Sequence, residues 1–295
     1  MRVSLGGNRN RSATTAALAL AALMCAVVAS ATADPARPSY YVSLGDSLAR
    51  GVQPGSDGRS RETNQGYVDF VARGLARNHP GLRSVKLGCS GETTASMLSG
   101  GHCSYSGGSE LAAAERFLRS HRGHVAAVTV NIGDNDVEQC MTNSQIDEKC
   151  VSRQMAGIRS RLPGIASRLR AAAGTGVAVV GLTDYDQFLA YWLNGAAGQR
   201  MARRSVQVVD ELNSAVNAIY QKAGLRAADA TGPFATNDLT DQVPLKGHGK
   251  VPLAVQRVCN WTWACSGPPV GFNDHANATG YRVLGGVVLS ALRSG

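Results

Sequence analysis

Apolar positions follow two alternating periods along this chain. Short runs of β-branched and small apolar residues each stop at a polar cluster. Tyr41 to Leu44 runs into Gly45-Asp46-Ser47, and Arg83 to Leu87 into Gly88-Cys89-Ser90-Gly91. Val125 to Val130 precedes Asn131, Gly176 to Leu182 precedes Asp184, and Leu225 to Ala228 precedes Asp229. Between these runs the apolar residues step by three and four. Val68, Val71, Ala72 and Leu75 form one such face, Leu111, Ala114 and Leu118 another, and Val206, Val209, Leu212, Val216 and Ile219 a third. The longest face, Val151 to Leu169, carries Pro163, which predicts a kink or a restart there. Strands that alternate with helices predict βαβ units around a parallel sheet of about five strands. No repeat or linker divides the pattern, so one domain is expected.

Two stretches fall outside it. Arg50 to Asn64 reads as a surface loop, and Thr236 to Pro269 as a long lid-like loop with one clamp around Trp261 and Trp263. The aromatic-rich segment from Asp184 to Leu193 offers Phe188, Tyr191 and Trp192 as an apolar wall beside a site, or equally as packing for the next helix.

The first residues change the count. Arg2, Arg9 and Arg11 precede an apolar run from Ala16 to Val28, and Ala31-Thr32-Ala33 is a small-x-small ending. Residues 1–33 therefore read as a cleaved secretory signal, and 34–295 as the catalytic domain. Cys25 sits in the apolar run without a lipobox, and no other stretch is apolar enough to span a bilayer. The mature chain is expected outside the cell, without stable membrane insertion and as a monomer. Loss of three arginines lowers the net charge from +9 to +6. The remaining arginines are scattered along helices, which fits a solvated surface and not a nucleic-acid partner.

Without Cys25 the cysteines are an even set, as disulfides in a secreted chain require. Proximity suggests Cys89 with Cys103, Cys140 with Cys150, and Cys259 with Cys265, each a local clamp of about 2–3 kcal/mol. Zinc is disfavoured because no Cys-x-x-Cys or His-x-x-x-His spacing occurs.

In an open α/β sheet, ligands bind outside the carboxyl ends of the strands, so Ser47 stands where chemistry is done. A serine there also suits the cap of the following helix. Four polar blocks settle the emphasis: Gly45-Asp46-Ser47-Leu48, Cys89-Ser90-Gly91-Glu92-Thr93, Gly133-Asp134-Asn135-Asp136 and Asp274-His275-Ala276-Asn277. In this order the chain resembles the SGNH hydrolases, also called GDSL esterases and lipases. The stretches Leu87 to Thr94 and Trp261 to Cys265 are most like secreted actinobacterial lipase-like members.

The resemblance implies a flavodoxin-like three-layer α/β/α sandwich and an acyl-ester substrate such as a lipid, with no metal or organic cofactor. It implies Ser47 as nucleophile and His275 as base. Its oxyanion donors would be the backbone N–H groups of Ser47 and Gly91 and the side chain of Asn135. His79, His102, His121, His124 and His248 are expected to be solvated. The third triad member departs from the family pattern. Its usual position, three residues before the histidine, holds Phe272. That leaves Asp274, the amide oxygen of Asn273, or a backbone carbonyl near Phe272 to hold the imidazole. Two other functions stay open: a carbohydrate acetyl esterase of the same superfamily, and a catalytically weakened secreted binding module.

Overall fold

Five strands line up in one parallel sheet. In a computed structural model, residues 39–142 and 145–294 are described; the expected leader, residues 1–33, lies outside them. The strands are β1 (Tyr40–Gly45), β2 (Arg83–Lys86), β3 (Val125–Asn131), β4 (Ala178–Leu182) and β5 (Arg226–Ala228), in the spatial order β2-β1-β3-β4-β5. Every neighbouring pair is parallel. This is the flavodoxin-like order, and its reversal point lies between β1 and β3. The described residues fall within one compact unit.

Successive strand residues face opposite sides, and both sides are covered. Val42, Leu44, Val128, Val130 and Val179 pack with α4 (Glu110–Ser120), α6 (Glu148–Ala173) and α7 (Gly195–Lys222). Tyr41, Ala127, Val180 and Leu182 pack with α2 (Tyr67–Ala76), α9 (Leu253–Trp261) and α10 (Ala278–Arg293). Tyr41 is wholly buried, and its hydroxyl finds the Thr129 hydroxyl at 2.8 Å, so the sheet interior holds no orphaned phenol there.

Three expectations change. Helix α6 passes Pro163 without a restart. Ile158, Leu162, Ile165 and Leu169 on its inner face are fully buried. At about 1.5–3 kcal/mol for each such side chain, that burial outweighs the roughly 3 kcal/mol an interior proline costs. The Thr236 to Pro269 region is no lid-like loop. It folds into an antiparallel hairpin, Gln242–Leu245 with Gly249–Pro252, followed by α9. That helix is nine residues long and buries Ala254, Val255 and Val258, too few turns for a strong periodic signal. The loop from Arg50 to Asn64 contains a small ribbon pairing Gln53–Pro54 with Ser60–Arg61.

The three expected cysteine pairs are all present, with Cα separations of 6.3, 5.5 and 5.0 Å. His121 departs from the solvated reading: it is half-buried, stacked on Phe117 at 4.0 Å, with its edge against Tyr40.

Candidate active site

The tip of β1 turns sharply. Gly45 has φ +133°, and a Cβ there would lie 2.1 Å from the Asn131 carbonyl oxygen at the tip of β3. Only glycine permits that approach. Asp46 then caps α1 (Ser47–Arg50), its Oδ1 accepting from the Leu48 N–H at 2.9 Å. The cap is therefore Asp46, which leaves the Ser47 hydroxyl out of that role.

After β2, the Cys89 N–H donates to the Gly45 carbonyl at 2.8 Å and draws the next loop against the first. Gly91 in that loop has φ +80°, and a Cβ would meet His102 Nε2 at 2.8 Å. Thr93 caps α3 (Thr94–Ser99). After β3, Gly133 leads into α5 (Asp134–Glu138), which carries Asn135. His275 follows an irregular stretch before α10 and is anchored by its carbonyl, which accepts from the Trp263 N–H at 2.9 Å.

Ser47, Gly91, Asn135 and His275 all line one open cleft of about 300 Å³, together with Val52, Ser60, Arg61, Glu62, Ser90 and Asp274. His275 is 9% exposed, and its Nε2 is buried without a hydrogen-bond partner among the described residues. At the other ring nitrogen two oxygens compete. Asn273 Oδ1 is hydrogen-bonded to Nδ1 at 3.0 Å, and Asp274 Oδ1 lies 3.1 Å from the same nitrogen, at ion-pair distance. The imidazole outweighs the burial of Asp274 and holds its carboxyl below the usual range.

Sequence reasoning missed the convergence of acids behind Ser47. Asp46, Asp134, Glu138, Asp184 and Asp274 surround a cavity of about 10 Å³, room for about one water, also lined by Ser47 and Asn135. Burial, and then the charge of Asp184, pushes Asp46 and Asp134 well up. Burial pushes Asp184 up to about 6 against the hydrogen bond from Asn131. Glu138 rises to about 7, first from burial and then from Asp274. The signal was present as an acid after most strands; their convergence depends on strand order, which local pattern does not encode.

The proposed aromatic wall is mostly internal. Phe188 and Tyr191, in the 3₁₀ segment Gln187–Asn194, are 2% and 7% exposed, and Trp192 lies under the Arg203 guanidinium at 4.7 Å. The exposed ring is Phe272, 41% accessible and stacked on Tyr191 at 5.0 Å. It borders a second groove of about 300 Å³ with Tyr191, Leu193, His248 and Ala264. Cys89, Glu92 and Cys103 bring metal-ligand atom types within 4.8 Å of one another, but the two sulfurs are joined in a disulfide and supply no thiolate.

Comparison with known proteins agrees with this architecture. The model of the GDSL-like lipase/acylhydrolase family matches residues 43–283. A lipase of Streptomyces rimosus is 27% identical over 250 residues, covering 79% of this chain and 86% of that protein. The crystal structure of the extracellular lipase from Streptomyces rimosus aligns with a TM-score of 0.55 at 22% identity, over 86% of this chain and 99% of that one, and shares the fold. With four-fifths of its length inside the family's pattern, the chain belongs to the GDSL-like lipase/acylhydrolase family and is a carboxylic ester hydrolase.

Proposed function

We propose that this hydrolase is a secreted serine esterase of lipase type, acting through an acyl-enzyme on Ser47 with His275 as base. The observation that carries the reading is the shared cleft: four residues remote in sequence line it, and one of them, His275, has a buried ring nitrogen with no partner among the described residues. Ser47 Oγ attacks the ester carbonyl while His275 Nε2 takes its proton. The oxyanion is received by the N–H groups of Ser47 and Gly91 and by the Asn135 amide, each donor contributing about 3–4 kcal/mol to the transition state. The carbonyl re-forms as the leaving alcohol departs with the proton from His275. Water then attacks the acyl-enzyme by the same route, releasing the acid and restoring Ser47.

Export is supported by the basic and apolar leader with its Ala-x-Ala ending and by three disulfides, which persist in oxidising compartments. An acyl chain of some length is favoured over acetate by the exposed Phe272 ring and the groove beside it.

Two measurements test this. A fluorophosphonate probe should label the wild type at Ser47, and Ser47→Ala should abolish both labelling and turnover; an inert Ser47 in folded protein would favour a binding module. A profile over C2 to C16 p-nitrophenyl esters should extend beyond acetate. Activity confined to acetyl esters, with acetate released from a polysaccharide, would support the acetyl esterase instead.

A further inference from the structure

Asn273 sits two residues before His275, and its side chain meets the histidine twice. Oδ1 accepts from the His275 backbone N–H at 3.2 Å and is bonded to Nδ1 at 3.0 Å. The first contact is an Asx-turn, in which an Asn side chain bonds the backbone two residues on. It also decides which way the amide points. The His275 backbone N–H can only donate, so the Asn273 atom facing it is the oxygen. That oxygen can only accept, so the ring nitrogen beside it carries the hydrogen. Nδ1–H in the neutral ring leaves Nε2 with its lone pair, the tautomer a general base needs.

The amide is held from its other end. Asn273 Nδ2 donates to Ser60 Oγ at 2.9 Å, from the ribbon that pairs Gln53–Pro54 with Ser60–Arg61. A rotated Asn273 would set its NH₂ group against the His275 N–H, two donors facing each other, and could bond Nδ1 only in the opposite tautomer. The oxygen of Asp274 is nearly as close to Nδ1 and bonds the imidazole as well, so the N–H is shared between two acceptors, but only the Asn273 oxygen is also fixed by the His275 backbone N–H.

We infer that Asn273, supported by Ser60, is the positioning residue for His275, and that Asp274 acts beside it as a counter-charge for the imidazolium formed during turnover. The inference rests on the proposed Ser47–His275 chemistry and fills the position that Phe272 leaves without an acid.

The test compares kcat, KM and pH profiles on a short p-nitrophenyl ester, with circular dichroism confirming the fold of each variant. Asn273→Ala should lower kcat on the order of 10²-fold with KM little changed, because the ring loses its enforced tautomer. Ser60→Ala should lower kcat by about 2- to 10-fold, the scale of one net hydrogen bond. Asn273→Asp keeps the acceptor and adds charge, so it should retain more activity than Asn273→Ala. Its acid limb should move to higher pH than in the wild type, since a carboxylate at Nδ1 favours the protonated ring. Should Asn273→Ala not fold, that limb decides: no movement in Asn273→Asp overturns the assignment. Wild-type kcat in folded Asn273→Ala, with a large loss in Asp274→Ala, would overturn it and give the role to Asp274. Failure of wild-type Ser47 to react with the fluorophosphonate would instead sink the underlying serine mechanism.

Discussion

Thr94 and Asp136 bind each other twice: the Thr94 N–H donates to Asp136 Oδ2 at 2.8 Å, and its hydroxyl to Oδ1 at 2.7 Å. Arg161 from α6 closes the group, with Nε on the Thr94 hydroxyl at 2.9 Å and Nη2 on Asp136 Oδ1 at 3.0 Å. Both Thr94 and Asp136 are essentially inaccessible. One opens α3 directly after the loop of Gly91 and the other belongs to the helix of Asn135, so this clamp joins the two segments proposed to receive the oxyanion.

Asp136→Ala should therefore damage stability and turnover together. It strands a buried N–H and a partly buried guanidinium, a loss of about 2–4 kcal/mol. Urea unfolding measures the first effect, and kcat of the folded variant the second. Wild-type kcat would show that the two segments do not depend on the clamp.

Gly91→Ala is expected to fall mainly on catalysis. The added Cβ meets only the tip of exposed His102, at 2.8 Å, which can swing aside, but a φ of +80° strains any residue with a Cβ, and relief of that strain should shift the loop and carry its N–H away. A loss of about 10²–10³ in kcat is expected, the scale of one oxyanion donor. A drop in thermal stability with kcat unchanged would contradict that.

Stability should decline from acid toward neutral pH. Glu138 rises from 4.5 to about 7, so across that window the folded protein holds a proton the unfolded chain has released. Folded stability therefore falls as pH rises through the window, and Asp184, raised to about 6, acts with the same sign. Glu138→Gln removes its share, roughly 1–3 kcal/mol. Melting temperatures from pH 4 to 8 should drop less in the variant; parallel curves would refute the assignment.

Phe272→Ala should change substrate preference more than rate on small esters. Its ring is a partly open shelf at the groove of Tyr191 and His248. Removing about 1 kcal/mol of apolar contact should cost roughly 5-fold in kcat/KM on C8–C16 esters, mostly in KM, with little change on acetate. An equal loss on acetate would remove Phe272 from the acyl path.

Much of the scaffold was legible in the sequence because the inner strands β1, β3 and β4 are buried on both faces and each strand ends at a polar cluster. Val42, Val128 and Val180 announce their strands, and the same clusters hold Ser47, Gly91 and Asn135. The cysteine pairs were readable because each closes a short loop. Other features needed three dimensions. Glu138 has no partner signal in sequence, and its environment comes first from burial and then from Asp274 far along the chain. Ser60 lies in what reads as a plain loop, yet it meets Asn273 across 213 residues. Phe272 reads as a missing acid, and only its stack on Tyr191 makes it a surface. The Asp184 to Leu193 aromatics read as wall or packing, and Phe188 and Tyr191 divide the work by packing beneath Phe272.

The three disulfides have a bearing on where this molecule keeps its competence. Cys89–Cys103 encloses Gly91, Cys140–Cys150 begins just beyond the helix of Asn135, and Cys259–Cys265 encloses Trp263, whose N–H holds the carbonyl of His275. None of the six sulfurs lies in a strand of the sheet. The thiol balance of the surroundings thus has a handle on each of the three segments that complete the cleft and none on the platform beneath them. In a reducing medium the platform would persist while the pieces above it lost their common alignment.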